Sequence, residues 1–383
     1  MRKEERTKFY SWKIGNLSRG CSLCVQGRKL VLYITGLCSR NCYYCPLSDE
    51  RKNRDKIWAN ERLITTKEEM IEEAIISKSA GAGITGGDPL IKLERTADYA
   101  KALKKKFGKK FHIHIYLTLN LVNEEKLKKL YNAGIDEVRF HPDFDNEKEW
   151  NKIFLAKRFK WKIGVEIPVI PGKEKEIKKL IDFIDGKIDF LNLNELEVSD
   201  TNANKLIEMG FTTKNRTSYG IKGSQELARK LLKYIAKKKT KIDVHYCTGR
   251  LKDRVQLGNR IRLRAESVRK KYDAVTYEGI LVRGAIYLNE LVPGFDYKKR
   301  IEKIKSDKEQ NRKTIKKLEE LKENIKSKYK VENDLIDTDT KKFRILIAPW
   351  ILEKICKNLK EKCAIVNEYP TYDNMEVEVF FLN

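Results

Sequence analysis

No stretch of about 18 apolar residues occurs anywhere in the chain, so no membrane-spanning helix is expected. The N-terminal MRKEERTKFYSW is charged and has no apolar h-region, so no secretory signal is expected either, and the protein is placed in the cytoplasm. No Pro/Gly/Ser-rich linker interrupts the chain, and its parts are expected to pack together. Acid is short relative to base: 55 Asp+Glu stand against 81 Lys+Arg, a net charge of +26. Such an excess attracts polyanions, which makes nucleic acid a partner to consider. A Lys/Glu-rich thermophilic surface accounts for high charge of both signs but not for the imbalance. The 41% of hydrophobic residues is enough for a packed core, and 383 residues suit a barrel-sized domain plus a further module.

What is present from about residue 30 to 200 is an alternation. Short β-rich runs occur at 29–35, 81–85, 111–118, 136–141, 161–170 and 189–196. Several are near-continuous Val/Ile/Leu stretches, as parallel strands covered on both faces require. Helical patterns lie between them. Thr66 and Glu69 form a capping box ahead of EEMIEEAIISKSA, and Asn123 can cap EEKLKKLYNA, closed by Gly134. Six such repeats predict an α/β fold, a partial (β/α)6 TIM-like barrel. A helix over 224–238 and a strand over 241–246 continue it. Beyond lie a hairpin over 274–290, a long charged helix carrying Ile301 to Ile325, and a final strand–helix–strand–strand run. The organisation is an N-terminal segment 1–27, a barrel with an extra strand over 28–249, and a C-terminal α+β module over 250–383.

Eight cysteines fall at 21, 24, 38, 42, 45, 247, 356 and 363, five of them within 25 residues. Without a signal sequence, such crowding points to metal or cluster ligation rather than disulfides. The central feature is CSRNCYYC, directly after the apolar run KLVLYITG. Three thiolates there can hold three irons of a 4Fe-4S cluster and leave the fourth iron open. A structural zinc loop is the rival, although zinc loops usually pair CxxC motifs.

The triplet Cys38, Cys42 and Cys45, with aromatic Tyr44 before the last cysteine, resembles the CxxxCxxC signature of the radical S-adenosylmethionine (radical SAM) superfamily. Gly86-Gly87-Asp88-Pro89, after the second strand, resembles that family's GGE loop, with Asp in place of Glu. The resemblance implies a radical SAM barrel, a 4Fe-4S cluster and SAM bound at the open iron. One-electron reduction would then release a 5′-deoxyadenosyl radical, which requires a ferredoxin- or flavodoxin-type reductant. Tyr44 would pack near adenine, while Gly86, Gly87 and Asp88 engage the methionyl amine. Later strand ends offer Thr118, Asn120, Arg139, Glu166 and Asn194 for SAM, and His141 and Glu195 for substrate work, since C-terminal strand ends line such sites. The similarity covers residues 28–200. Within the superfamily, the chain is similar to archaeal proteins described as related to pyruvate formate-lyase activating enzymes.

A second set comprises Cys21 and Cys24, a CxxC, and Cys247, with His245 two residues before it on one strand face. These can hold an auxiliary iron–sulfur cluster or a zinc. Alternatively the CxxC is a tight turn and Cys247 a buried apolar residue. Cys356 and Cys363 read as core residues. For substrate, the first reading is tRNA or another RNA, because nine basic residues and only two acids occupy 250–271, including Arg250, Lys252, Arg254, Arg260, Arg262 and Arg264. The alternatives are an activase or modifier of a protein or peptide, and an enzyme of small metabolites.

Overall fold

The computed structural model describes residues 2–238 and 240–383. They form two compact units, one reaching to Arg260 and the other spanning Ile261–Asn383.

In the first unit seven parallel strands follow one another across a sheet: β1 (Lys29–Tyr33), β2 (Gly81–Thr85), β3 (His112–Thr118), β4 (Glu137–His141), β5 (Lys162–Val169), β6 (Phe190–Glu195) and β7 (Asp243–Cys247). Each neighbouring pair is parallel. Among the described residues the two ends of this run, β1 and β7, are not paired to each other. A hairpin, Ile57–Ala59 with Arg62–Ile64, extends the β1 edge, and the antiparallel pair Glu5–Arg6 and Trp12–Ile14 extends the β7 edge. This is the expected partial barrel with its extra strand. The two edge extensions were not foreseen, since runs of two or three residues carry no readable period.

Alternate residues explain why the strands stay in this arrangement. Leu30, Leu32, Ile84, Ile113, Ile115, Val138, Phe140, Val165, Leu191, Leu193 and Val244 are fully or almost fully buried in one apolar core. The intervening positions are polar and also buried: Lys29, His114, Glu137, Arg139, Asn192 and His245. Parallel strands here have an apolar face beneath the helices and a polar face in the barrel interior.

The connecting helices begin where their caps stand. The Thr66 side chain accepts from Glu69 N–H and Glu69 answers, completing the capping box of α2 (Lys67–Ile76). Asn123 caps α4 (Glu124–Asn132) through Lys126 N–H at 2.9 Å. Between them lies α3 (Leu93–Phe107). The fourth connection departs from the pattern: Glu147–Arg158 is a 3₁₀ segment, not an α-helix. A short helix, α1 (Arg19–Val25), carries the CxxC and enters the interior, so that motif is not a tight turn. The first unit reaches to Arg260, so residues 250–260, expected with the C-terminal module, group with the barrel. Asn259 donates to the Val25 carbonyl at 2.6 Å, and Arg260 pairs with Glu61.

The second unit is α+β. Its antiparallel sheet runs Ile336–Asp339, Arg344–Ile347, Leu281–Tyr287, Lys362–Glu368, Glu376–Phe381, with Ala274–Val275 completing a hairpin on Leu281–Tyr287. The anticipated long charged helix is two helices, Tyr297–Ser306 and Lys308–Tyr329. Asp307 breaks it: its carboxylate accepts from the N–H groups of Glu309 and Gln310, which starts a new helix. Cys356 and Cys363 are core residues there, as expected. Among the described residues, no helix is long and apolar enough to cross a membrane.

Candidate active site

The chain leaves β1 at Tyr33 and re-enters regular structure at Ile57. A loop of this length without its own secondary structure is usually functional. It holds Cys38, Cys42 and Cys45, all free thiols and all half-buried.

Four anchors hold the loop over the C-terminal ends of the strands. Arg40 donates to the His141 carbonyl at 3.0 Å and pairs with Asp143 at 2.9 Å. The Tyr44 hydroxyl meets His141 Nε2 at 3.0 Å. Thr201 donates to the Cys45 carbonyl, and Asn202 to the Tyr44 carbonyl at 3.2 Å. The GGDP loop packs beneath: Gly87 N–H donates to the Thr35 carbonyl at 2.7 Å, and Asp88 N–H to the Leu37 carbonyl at 2.8 Å. A Cβ on Gly87 would stand 2.1 Å from the Leu37 carbonyl oxygen, so only glycine permits this approach.

The electrostatics fit ligation. Burial pushes the Cys38 and Cys42 thiols up, and Arg40, close to Cys42, opposes this there. Iron ligation requires thiolates, and a guanidinium beside the group offsets their charge. Among the described residues no three His, Cys, Asp or Glu side chains converge to chelate a single metal ion. A cubane cluster takes one thiolate per iron rather than three on a single ion. Three thiolates on one loop can give one ligand to each of three irons of a 4Fe-4S cluster and leave the fourth iron open. Arg40, Thr201 and Asn202 were missed in the sequence. Only Arg40 left a signal, lying inside the cysteine triplet.

The anticipated SAM and substrate residues divide into three groups. The first lies at the rim. Asp88 is buried; its Oδ1 accepts from Leu90 N–H at 3.0 Å and its Oδ2 from the Thr118 hydroxyl. Burial raises its pKa against those hydrogen bonds. It caps a 3₁₀ turn as well as facing the loop. His141 is bonded on both nitrogens. Nδ1 faces the Glu166 carbonyl at 2.9 Å, an acceptor, so Nδ1 carries the proton and Nε2 accepts from Tyr44. Burial and then Arg40 push its pKa down to about 4. His141 is thus a neutral support for Tyr44, with both ring nitrogens hydrogen-bonded.

The second group fills the interior. Arg139 is 2% exposed and donates to Glu137 at 2.7 Å, Glu166 at 2.8 Å, and Tyr116 and Ser18 at 3.1 Å. Glu166 also accepts from Asn192 at 2.8 Å and Asn194 at 2.9 Å. Arg139, Glu166 and Asn194 thus form one hydrogen-bonded network in the barrel interior, with Glu166 at its centre. Cys21 joins this group: Asn192 and Arg139 donate to its sulfur at 3.2 and 3.5 Å. Gly20 beside it has no room for a side chain, its Cβ position lying 2.4 Å from Arg139. Cys24 stands near Lys29, and burial pushes its thiol up to about 11. Cys247 packs with Val25 and Leu251 and receives Gln256. His245 bonds Ser11 through Nε2.

The third group is apart. Asn120 is exposed beyond β3. Glu195 pairs with Lys214, accepts from Gly249 N–H at 2.8 Å and lines a cleft of about 880 Å³.

With this geometry in view, the class follows: the chain belongs to the radical SAM superfamily, whose description matches residues 32–184. Its members use a 4Fe-4S cluster and SAM, and this chain is an enzyme of that kind. It is 42% identical, over 99% of its length and 96% of the relative's, to a Methanocaldococcus jannaschii protein described as a "putative glycyl-radical enzyme activating enzyme". Residues 279–382 match a domain of unknown function, DUF8061. A biotin synthase of Pseudoalteromonas translucida is 30% identical over 35% of this chain and 37% of that protein. Among solved structures, the radical SAM methyltransferase TsrM of Kitasatospora setae aligns with TM-score 0.36 and 10% identity, over 69% of this chain and 57% of that one. Escherichia coli HemN, coproporphyrinogen III oxidase, aligns with TM-score 0.36 and 11% identity, over 58% and 56%.

Proposed function

We propose that this enzyme directs its radical chemistry at a protein or peptide partner, as an activase or modifier. The observation that carries the reading is the full-length similarity to the M. jannaschii protein and its description. The basic stretch over 250–271 supports it by elimination. Lys252 is paired with Glu197 at 2.8 Å, Arg260 with Glu61, and Arg264 is buried and bonded to the Pro370 carbonyl. These three of its nine cations are taken up within the protein rather than held out toward a phosphate backbone.

Cys38, Cys42 and Cys45 hold the cluster in this reading, and the cluster with SAM supplies a 5′-deoxyadenosyl radical when reduced by a ferredoxin- or flavodoxin-type donor. The chain's own residues do the positioning. Arg40 and Tyr44 tie the cysteine loop to His141, and the Gly86–Asp88 backbone braces it from below. Asp88 is proposed to receive the methionyl amine, with Thr118 orienting its carboxylate.

The test is mass spectrometry of protein and RNA from a deletion strain, with 5′-deoxyadenosine measured on the reduced, reconstituted protein. A protein modification lost in the deletion strain is the expected result. A lost tRNA modification, with the proteome unchanged, would replace this reading with the RNA one.

A further inference from the structure

The cleft holding Glu195 lies at the C-terminal ends of β6 and β7, against the N-terminal strands. It is not the cysteine loop, yet it touches it. Asn202 donates to the Glu197 carbonyl at 3.0 Å and to the Tyr44 carbonyl at 3.2 Å, so one buried side chain joins the cleft wall to the residue before Cys45.

Two features mark the cleft as built for a ligand. The first is the backbone of Leu251–Leu257, which is π-helical: Gly258 N–H donates to the carbonyl of Asp253, five residues back. Single π turns are rare and cluster at functional sites. This one follows Arg250 and carries Asp253 and Arg254 at the cleft.

The second is charge left without a partner. Two of the cleft's acids are neutralised, Glu195 by Lys214 and Glu197 by Lys252. Arg254 and Asp253 have no ion pair or side-chain hydrogen bond among the described residues, and both are exposed. Among the described residues Arg250 is placed over the Tyr10 ring, 4.0 Å from its centroid, and Arg6 over the Trp12 ring at 5.8 Å. A cation–π contact leaves the N–H donors of a guanidinium available to a carboxylate or a phosphate.

An unpaired carboxylate in the same cleft decides between those. A phosphodiester backbone brings acceptors only and leaves the Asp253 carboxylate without a donor. A peptide brings an acidic side chain for the arginines and backbone N–H donors for the carboxylates. We propose that this cleft docks a peptide segment bearing acidic side chains, which places the partner beside the cysteine loop. This rests on the protein-directed reading above and names the chemistry of the partner.

The experiment uses the full chain and fluorescence anisotropy with fluorescein-labelled hexaglutamate, with labelled hexauridylate as the competing probe, at about 20 mM salt where screening is weak. Two double variants are compared: Arg250→Ala with Arg254→Ala, and Lys313→Ala with Lys316→Ala. The second pair removes the same charge from exposed lysines elsewhere. The expected result is hexaglutamate binding that weakens about tenfold or more in the arginine variant and less than about twofold in the lysine variant. Equal weakening in both, no hexaglutamate binding, or preferential and arginine-dependent binding of hexauridylate would each overturn the proposal. Formation of 5′-deoxyadenosine by the unsubstituted protein is scored separately. Its absence alongside arginine-dependent peptide binding would remove the radical reading and leave the cleft standing.

Discussion

Replacing Arg139 by Met removes the cation at the centre of the barrel. Glu137 is fully buried and the Glu166 side chain 14% exposed, and each loses its guanidinium. Breaking a buried pair by deleting one partner costs about 3–5 kcal/mol, because a charge is left uncompensated. For a unit of this size one kcal/mol moves Tm by roughly 2–4 °C, so a fall of about 6–20 °C is expected at pH 7. The deficit depends on pH. Burial pushes the Glu166 carboxyl up, but Arg139, Asn192 and Asn194 outweigh it and the net shift is downward. A carboxylate with a lowered folded pKa contributes stability above its unfolded value of about 4.3 and loses it as pH falls through the folded one. Without Arg139 the burial effect prevails, Glu166 takes up a proton more readily, and the difference in Tm between variant and parent should narrow from pH 7 toward pH 4.5. Circular dichroism melting of anaerobically prepared protein measures this. A loss of less than about 2 °C together with weakened SAM binding would refute the reasoning and return Arg139 to the cofactor.

Three further outcomes follow from the rim. Cys42→Ala should lower iron content and abolish 5′-deoxyadenosine formation, read by iron analysis and mass spectrometry; unchanged production would remove the cluster assignment. Asp88→Asn keeps an acceptor for Leu90 N–H but loses the charge, so SAM affinity should drop about 10- to 150-fold, the equivalent of 1.5–3 kcal/mol, with iron content intact; calorimetry showing no change would make the GGDP loop a brace alone. His141, with its pKa held near 4 by burial, should stay neutral from pH 5 to 8. Its depressed folded pKa means that this site's stability falls as pH drops from about 6.5 toward 4, where only the unfolded chain binds the proton. Protonation of His141 near pH 6.5 by NMR would contradict the double hydrogen bond to Glu166 and Tyr44.

The sequence by itself determined the strand–helix rhythm, the capping residues Thr66 and Asn123, and the cysteine triplet on the loop after the first strand. Each is a local property, encoded by a period or by a side chain reaching the backbone a few residues away. It also set Gly86-Gly87-Asp88 at the end of β2, where a short loop must approach another backbone. Tertiary structure alone decided what the interior polar residues do. Arg139 reads as a strand-end ligand, yet beside Glu137 of its own strand the fold brings Tyr116 and Glu166 from the two neighbouring strands and Ser18 from the N-terminal segment. The same holds for His141, whose role follows from Tyr44, nearly a hundred residues earlier, and for the basic stretch, where Glu61 and Glu197 take up Arg260 and Lys252. The break at Asp307 was available locally but masked by an apolar stripe that runs on through it. Charges in a barrel interior choose partners by strand register and burial, and neither is visible until the strands are side by side.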